Sequence, residues 1–414
     1  MHPELRQIFN ADFTPEKYAA LLRCINESEK WPADFRIAET PIFLTREFAD
    51  EVVGGAKAIV DLTRTPEFAR HAASAIPQGL DVPNEPTHPN FLVVDFGICA
   101  ERDRLVPRLI ELQAFPSLFG FQLLELRCIR KTFPVIPRNW TSSFGGIKDD
   151  AYVDLLRRTI LAGAEPENVI LLEIEPEKQK TRIDFAATEK LLGIRPVCLT
   201  KIKKRGRKLF YDRDGRQVRI ERIYNRVIFD ELIRRPDLDL PFRMQDDLDV
   251  AWAGHPNWYF RISKHSLPFL KSEHTSPAFF ADEFPASTNQ PSSRSRGTMA
   301  GRSAIERIED YVLKPLYSFA GLGVDMEPTH EKIAALENPH EWILQKKVEY
   351  APFVRAVDGN RSKAEIRMMF LWPDEDQDPT LVNNLVRMSQ GKMMGVDFNK
   401  EKTWVGSTIA LHEH

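Results

Sequence analysis

The chain has 414 residues, which implies roughly two or three domains and leaves ample apolar content for large cores. Apolar residues make up 43%, charged residues 28% and the net charge is −3, a globular composition without a general attraction to nucleic acid or anionic membranes. No apolar run approaches the roughly 18 residues that span a bilayer, and the amino terminus lacks the apolar segment of a secretion signal. We therefore expect a soluble protein.

The cysteines give a first expectation about the compartment. They stand at positions 24, 99, 128 and 198, far apart and without C-x-x-C spacing. This pattern argues against a zinc site or a disulfide framework, and it favours reduced, mostly buried thiols in a cytoplasmic protein.

The first 90 residues are predicted to be mainly helical, since Thr14 and Pro15 supply a cap and a first helical position for one amphipathic helix. Buried strands follow at 91–96 and 108–113, and the apolar run 121–128 is interpreted as a third strand. A helix is expected near 149–163. A strand at 169–174, a helix at 182–192 stopped by Gly193, and a strand at 196–200 together indicate a parallel α/β unit.

Asp214 and Gly215 predict the turn of a β-hairpin. The run from Lys201 to Lys208 carries six positive charges in eight residues, but it has no aromatic stacking partners inside it. A solvated hairpin tip is favoured over a nucleic-acid site. The Ser/Pro/Arg-rich stretch 285–302 is interpreted as a mobile loop that covers a ligand. Short helices and strands continue to the carboxyl terminus.

The segment from Tyr311 to Val324 delivers Lys314 from an apolar strand into a loop with Ser318, Gly321 and Gly323. A buried lysine is costly unless it meets an anion, and glycines let backbone N–H groups approach a ligand. The segment therefore suits phosphate binding, although a β-hairpin with a glycine turn and a lysine that reaches solvent is an open alternative. Lys264 is a second lysine in an apolar context.

Acidic and amide side chains lie on the two predicted strands. Glu111 and Gln113 are two residues apart, so they face one side of their strand, and Asp95 lies on the neighbouring strand. Carboxylate and amide oxygens suit Mg²⁺. An edge strand with a solvated acidic face is the alternative for Glu111 and Gln113.

Later segments add further candidate residues. The strand around Gln345, Lys346 and Val348 leads into a loop, as a strand does when it meets an adenine edge. Arg367 and Arg387 stand alone on otherwise apolar strands, where a guanidinium pairs with a carboxylate or, near a nucleotide, with a phosphate.

This order of motifs resembles the ATP-grasp ligases. The chain carries a lysine, then a second lysine with a glycine loop, then a hinge strand and late arginines, which is the order of these features in that family. The D…E-x-N metal set, which such a chain should carry last, comes first here, as Asp95…Glu111-Leu112-Gln113. That order is similar to the circularly permuted, glutathionylspermidine synthase-like branch. The resemblance covers roughly residues 90–130 and 168–414. Two positions depart from the pattern, because Gln113 replaces asparagine and Val93 replaces a phosphate-directed arginine.

The resemblance implies an α+β or α/β fold, a circularly permuted ATP-grasp with a pre-ATP-grasp α/β domain and a helical amino-terminal region. The expected divisions are 1–90 (helical), 91–150 (ATP-grasp strands with the metal ligands), 151–255 (pre-ATP-grasp domain), 256–350 (nucleotide-binding subdomain) and 351–414 (carboxyl-terminal strands).

It also implies an ATP- and Mg²⁺-dependent carboxylate–amine ligase that works through an acyl phosphate and releases ADP. Asp95, Glu111 and Gln113 would hold Mg²⁺, and Arg367 and Arg387 would act in catalysis. The nucleotide would contact the residues of the loop, the hinge and the two lysines: Lys264, Lys314, Ser318, Gly321, Gly323, Gln345, Lys346 and Val348. The partners would be a small-molecule or short-peptide carboxylate and an amine, with no nucleic acid or membrane. A phosphotransferase, or an inactive nucleotide-binding homologue, is the alternative.

Overall fold

The computed structural model describes residues 1–284, 307–318, 321–391, 394, 399 and 401–414. Within them the chain is of mixed α and β class, with helices and several sheets. The segment 285–302, predicted to be a mobile flap, lies outside the described residues. No helix among the described residues combines the length and apolar character needed to cross a membrane.

The elements follow in chain order. The helices are α1 (Pro3–Asp12), α2 (Pro15–Glu27), α3 (Arg46–Thr63), α4 (Pro66–Ala72), α5 (Phe119–Thr132), α6 (Asp149–Leu161), α7 (Arg182–Leu192), α8 (Phe229–Ile233), α9 (Pro256–Arg261) and α10 (His330–Ala334). The strands up to the middle of the chain are β1 (Ile42–Phe43), β2 (Phe91–Glu101), β3 (Arg104–Gln113), β4 (Trp140–Thr141), β5 (Val169–Glu173), β6 (Arg195–Cys198), β7 (Lys203–Arg205), β8 (Lys208–Arg213), β9 (Arg216–Ile220), β10 (Arg222–Asn225) and β11 (Ala251–Ala253). The later strands are β12 (Ala278–Phe280), β13 (Tyr311–Pro315), β14 (Trp342–Lys346), β15 (Val354–Arg355), β16 (Arg361–Leu371), β17 (Thr380–Ser389), β18 (Gly406–Thr408) and β19 (Ala410–Glu413).

The amino-terminal region is mainly helical, as the sequence predicts. Thr14, Thr45 and Thr65 begin α2, α3 and α4, and each hydroxyl accepts a hydrogen bond from the backbone N–H three residues further on. The apolar face of α3 packs against β2 and β3, so this region covers one side of the central sheet.

The central sheet joins two segments that are far apart in the chain. Its strands run in the order β18-β17-β16-β2-β3, with β15 paired to β16, and all the pairings are antiparallel. The hairpin β2–β3 comes from the first third of the chain, and β2 pairs directly with β16, which comes from the last third. This pairing brings Asp95 directly opposite Arg367.

The α/β unit has the predicted parallel strands. Its sheet runs β11-β10-β5-β6, and α7 connects β5 with β6. Gly193 ends α7 with a φ of 78°, in the left-handed region that glycine adopts without a Cβ clash. The hairpin β8–β9 turns at Asp214 and Gly215, whose φ values of 51° and 81° fit the predicted two-residue turn.

A small antiparallel sheet, β12-β14-β13, carries the lysine strand and the hinge strand. A bridge between Leu313 and Asp325 closes the glycine-containing loop, so the chain returns beside β13 after the loop. Another three-stranded sheet, β1-β19-β4, ties the two chain ends together.

Most of the basic run 201–208 lies on β7, the first residue of β8 and the connection between them, and its charged side chains are exposed. Lys203 pairs with Asp212 at 2.6 Å, and Lys204 contacts Asp246 at 2.5 Å. Much of the positive charge is thus matched locally, which favours the hairpin interpretation of this run.

Residues 121–128 do not form a strand; the prediction is wrong here, because they lie within α5. Most of this helix is buried, including Phe121, Gln122, Glu125 and Cys128. A helix buried on nearly every side shows no amphipathic period, so its sequence cannot be distinguished from a buried strand by pattern alone.

The expectation of four reduced thiols is also wrong, since Cys24 and Cys128 form a disulfide. The two cysteines are 104 positions apart, on α2 and α5, which pack against each other. Sequence spacing does not reveal such a long-range contact. Cys99 and Cys198 are free. The disulfide removes the thiol argument for a cytoplasmic location.

Candidate functional site

The predicted acidic residues meet on the hairpin β2–β3. Asp95 pairs with Glu111 and Val93 with Gln113, and a bulge follows, because Phe96 pairs with Leu109 and leaves Ile110 unmatched. A bulge re-aims the neighbouring groups and frees backbone atoms from the ladder. The carbonyl oxygens of Leu109 and Ile110 accept hydrogen bonds from side chains of the lysine and hinge strands.

Asp95 is buried, with 1% of its surface exposed, and is bound by two arginines. Arg367 donates from Nε and Nη2 to the two carboxylate oxygens at 2.7 and 2.6 Å, and Arg387 donates from Nη2 at 2.7 Å. Burial alone would raise the carboxyl pKa, but the two guanidinium groups outweigh it and lower the pKa of Asp95 to about 2.

Glu365 and Tyr350 extend this cluster on the side of Arg387. Glu365 lies 3.0 Å from Arg387 Nη2 and accepts a hydrogen bond from the Tyr350 hydroxyl. Burial is the main reason why the pKa of Tyr350 is raised, and the Glu365 carboxylate adds to it. Neither residue was predicted as part of the site. Glu365 could have been found from the sequence, because it lies two positions before Arg367 and therefore on the same face of β16.

Lys264 is the first residue of a short 3-10 helix, Lys264–Phe269, and its side chain is buried. Its ammonium lies 2.9 Å from Glu111 Oε1 and donates to the carbonyl oxygen of Ser318 at 2.6 Å. Burial opposes ionisation of Glu111, but Lys264 and Lys314 favour it, and the net effect is a lowered pKa of Glu111.

Lys314 approaches from β13. Its Nζ donates to Gln345 Oε1 at 2.6 Å and to Ile110 O at 3.4 Å, while Gln345 Nε2 donates to Leu109 O at 3.1 Å. Burial lowers the pKa of Lys314 to about 8, although the nearby Glu111 raises it in part. Lys314 is half-buried, and its ammonium is bonded to acceptors on β3 and β14 rather than extended into solvent.

The space between these groups is small. A cavity of about 10 Å³ is lined by Glu111, Gln113, Lys264 and Ser318, together with apolar neighbours. This is room for about one water molecule. The charged groups of the site are thus paired with one another, and the β12-β14-β13 sheet contacts β3 through Lys314 and Gln345.

Some predicted residues are not gathered at this point. Lys346 is exposed and Val348 is half-buried after the end of β14. Gly321 and Gly323 are exposed and have φ values of 75° and 76°, which suits glycine. The structure brings together the other predicted residues: Asp95, Glu111, Gln113, Lys264, Lys314, Ser318, Gln345, Arg367 and Arg387.

The predicted metal ligands are Asp95, Glu111 and Gln113. Among the described residues, no group of three His, Cys, Asp or Glu side chains could hold a metal ion. Both oxygens of Asp95 are committed to guanidinium groups. Glu111 and Gln113 line the cavity together. Since Mg²⁺ is often held by one or two carboxylates and completes its shell with phosphate oxygens and water, Glu111 and Gln113 fit such an ion, whereas Asp95 in this arrangement does not.

No known protein-family profile matches the chain, and no curated protein matches it in sequence. Among solved structures, the chain is similar to a glutathione synthetase-like effector (GSS30) from Globodera pallida in its apo form. The TM-score is 0.52 at 12% sequence identity, and the match covers 91% of this chain and 89% of that chain. At this identity the similarity concerns the fold, which is glutathione synthetase-like.

Proposed function

We propose that the protein is an ATP-dependent carboxylate–amine ligase of the ATP-grasp type, with the metal-bearing strands ahead of the nucleotide-binding lysines in a circularly permuted order. The observation that carries this proposal is the meeting of two lysines, two arginines, Asp95 and the Glu111–Gln113 pair, of which Asp95 and Arg387 are in contact although they lie 292 positions apart. A cluster of this kind suits a polyphosphate and the charge that develops when a phosphoryl group moves.

In this proposal Lys264 and Lys314 bind phosphate oxygens. Both ammonium groups are held by neutral oxygens, Ser318 O and Gln345 Oε1, and Lys264 also by Glu111. An incoming anion would replace the neutral acceptors of Lys314 with a charged one, which adds the attraction between opposite charges. The backbone of the glycine-containing loop lies beside these lysines through Ser318.

Glu111 and Gln113 would hold Mg²⁺, which would offset phosphate charge when bound. Asp95 has a different part: it fixes Arg367 and Arg387 by three hydrogen bonds, so that the guanidinium groups are oriented before a ligand arrives. Arg387 is the more exposed of the two, with 29% of its side chain accessible against 8% for Arg367. Arg387 would therefore contact the transferred phosphoryl group, which passes to a substrate carboxylate before an amine attacks.

Nucleotide binding requires the site to open, because a cavity of about 10 Å³ cannot hold ATP. Gln345 and Lys314 form the contact between the small sheet and the bulged strand β3. Movement of that sheet away from β3 would make room along the same side chains that bind the ligand. This type of closure between two bodies is a common way to exclude water from phosphoryl transfer.

The alternative is a nucleotide-binding protein or phosphotransferase without ligase activity. The observation in its favour is that Asp95 and Glu111 both have cationic partners within the chain, so the site is electrically satisfied without a metal. Products separate these functions: a ligase releases ADP only when both a carboxylate and an amine are present, whereas a kinase leaves a stable phosphorylated product.

The test is a screen for ADP release with the full chain, ATP, Mg²⁺ and pairs of carboxylates and amines, starting with amino acids, short peptides and polyamines. We expect at least one pair to give ADP, phosphate and an amide in equal amounts. Lys314→Ala should abolish that release. Nucleotide binding without any turnover would support the non-catalytic alternative, and absence of ATP binding would refute both.

A further inference from the structure

A second cavity lies away from the proposed nucleotide site. It has a volume of about 450 Å³, is partly open to solvent, and is bordered by helices α2, α5 and α7 and by Ser28 and Glu29. Cavities of this size hold small organic ligands. The lining residues that α5 contributes lie on one face of that helix, spaced at three and four positions, and include Leu123, Leu124 and Arg127. None of them belongs to the Glu111–Lys314 site.

The disulfide forms part of the wall. Cys24 and Cys128 both line the cavity, and their bond joins α2 to α5. Cys24 is partly exposed, whereas Cys128 is 2% exposed. A reagent in the cavity would therefore reach the sulfur of Cys24 more easily, and access decides which sulfur of a disulfide is attacked.

Positive side chains surround this wall. Arg127, Lys131 and Lys190 line the cavity, against one acidic residue, Glu29. Lys190 donates to Ser28 O at 2.8 Å and contacts Glu29 at 3.3 Å, so that charge is matched. Arg127 lies 3.7 Å from Asp149 at an exposed position, a weak pairing.

Lys131 makes no ion pair with any of the described residues. It lies three positions after Cys128 on α5, so the two side chains share a helix face. A cation at that position attracts an anionic reagent to the part of the cavity that holds the disulfide.

We propose that this cavity binds a small thiol that carries carboxylates, and that the bound thiol exchanges with the Cys24–Cys128 disulfide. The carboxylates would be held by Lys131 and Arg127, while the apolar leucine wall would contact the carbon chain. Cations attract and retain the anionic reagent, and the disulfide lies within the same cavity.

The proposed thiol–disulfide exchange has two steps. The thiolate of the ligand attacks Cys24 Sγ, the Cys24–Cys128 bond breaks, and its electron pair leaves on Cys128 as a thiolate. A second ligand thiolate attacks the ligand sulfur of the mixed disulfide and releases Cys24. Two ligand thiols are thus oxidised to one ligand disulfide, the protein disulfide is reduced to two thiols, and the protons of the ligand thiols pass to the cysteines.

The experiment compares three thiols on the oxidised full chain at constant ionic strength: mercaptosuccinate (dianionic), 1-thioglycerol (neutral) and cysteamine (cationic). Appearance of the two cysteine thiols is followed by iodoacetamide quenching and mass spectrometry, and each rate is divided by the rate of the same thiol with hydroxyethyl disulfide. We expect the corrected rate to saturate for mercaptosuccinate and to rise linearly for the other two. Succinate, which has the carboxylates but no thiol, should slow the mercaptosuccinate reaction.

Lys131→Ala supplies the matched variant, and it changes an exposed side chain without touching either cysteine. We expect the corrected mercaptosuccinate rate at low concentration to fall roughly tenfold, the size of one charge contact worth about 1.4 kcal/mol. The control is Lys57→Ala, an exposed lysine on α3 that does not line the cavity, and it should change nothing. Equal, linear corrected rates for the three thiols, or an unchanged rate in Lys131→Ala, would overturn the proposal. Alkylation of Cys24 and Cys128 in the purified protein before any thiol is added would do so as well.

Discussion

At the scale of single residues, the charge of Lys314 decides whether the site can hold a phosphate. Burial lowers its pKa to about 8, so the ammonium loses its proton within the range of ordinary assays. An anion bound beside it would favour the charged form and raise that pKa again. Ligand binding and proton uptake are therefore coupled at this one nitrogen.

Lys314→Ala is expected to weaken ATP binding by roughly 10- to 150-fold, because a hydrogen bond to a charged group contributes about 1.5–3 kcal/mol. In the unaltered protein, affinity should decline as the pH rises above about 8. Calorimetry in two buffers of different ionisation enthalpy should show proton uptake near that pH. Lys314→Arg should keep its affinity at high pH, since arginine stays charged. ATP affinity independent of both Lys314 and pH would contradict the phosphate role.

Glu111 is the second residue with a separable role. Glu111→Gln keeps the side-chain shape and removes the charge that would hold a cation, so turnover should fall by roughly 100-fold or more while ATP affinity changes little. Gln113→Asn only shortens the reach of an amide oxygen, and we expect a loss within about tenfold. Steady-state kinetics and calorimetry provide the two readouts.

Thermal melting is the control for Glu111→Gln, because the substitution leaves Lys264 without its carboxylate partner. Normal turnover in Glu111→Gln would mean that the acidic pair on β3 has no part in a metal site. The Glu111–Lys264 contact would then be a structural ion pair.

At the scale of elements, Asp95 links three strands. It lies on β2 and binds arginines on β16 and β17, so its carboxylate joins the early hairpin to the late strands. Removal of one partner from such a buried cluster leaves two guanidinium groups without full compensation.

Asp95→Asn should therefore lower the free energy of unfolding by about 3–5 kcal/mol. The matched control is Asp103→Asn in the exposed β2–β3 turn, where φ is 67° and asparagine is tolerated, and it should stay within about 0.5 kcal/mol. Urea denaturation measures both. A small effect of Asp95→Asn would show that the arginines find other partners.

The same carboxylate predicts an acid limb of stability. Its folded pKa of about 2 lies below the ordinary value of 3.8, so its contribution is complete above the ordinary value and is lost as the pH falls through about 2. Unfolding free energies measured between those pH values should show this loss in the unaltered protein, and Asp95→Asn should lack this component.

The disulfide between α2 and α5 should stabilise the folded protein. It closes a loop of 104 positions, and its removal in Cys24→Ser/Cys128→Ser should cost about 2–5 kcal/mol in unfolding free energy. Cys198→Ser, at a free and partly exposed cysteine, is the control and should be near neutral. An unchanged unfolding midpoint in the double variant would indicate that the bond adds nothing to the folded state.

At the scale of the whole molecule, features that depend on neighbouring residues could be predicted from the sequence, whereas features that depend on contacts between distant segments could not. The predictions from local signals were confirmed: Thr14 caps α2, Gly193 ends α7, and Asp214-Gly215 forms the turn of the hairpin β8–β9. The order of charged motifs also anticipated that Asp95, Glu111 and the lysines would share a site. The bulge at Ile110 and the pairing of Asp95 with two arginines depend on strand register, which the sequence pattern does not specify.

Two errors share a physical cause. Helix α5 is buried on nearly every side because it lies between the other helices and the central sheet. Its sequence therefore lacks the alternation of apolar and polar residues that identifies an amphipathic helix. The same packing brings Cys128 to Cys24. Both facts depend on contacts between distant segments. The pairing of charges at the site, which joins Asp95 to Arg367 and Arg387 and Glu111 to Lys264, also depends on contacts between distant segments.

The most direct test of the central claim is a crystal structure of the protein with a non-hydrolysable ATP analogue and Mn²⁺, in which anomalous scattering locates the ion. We predict a polyphosphate between Lys264 and Lys314, Mn²⁺ at Glu111 and Gln113, and the β12-β14-β13 sheet displaced from β3 to admit the nucleotide. Nucleotide bound elsewhere, or a site that stays closed with Lys264 on Glu111 at saturating analogue, would contradict it.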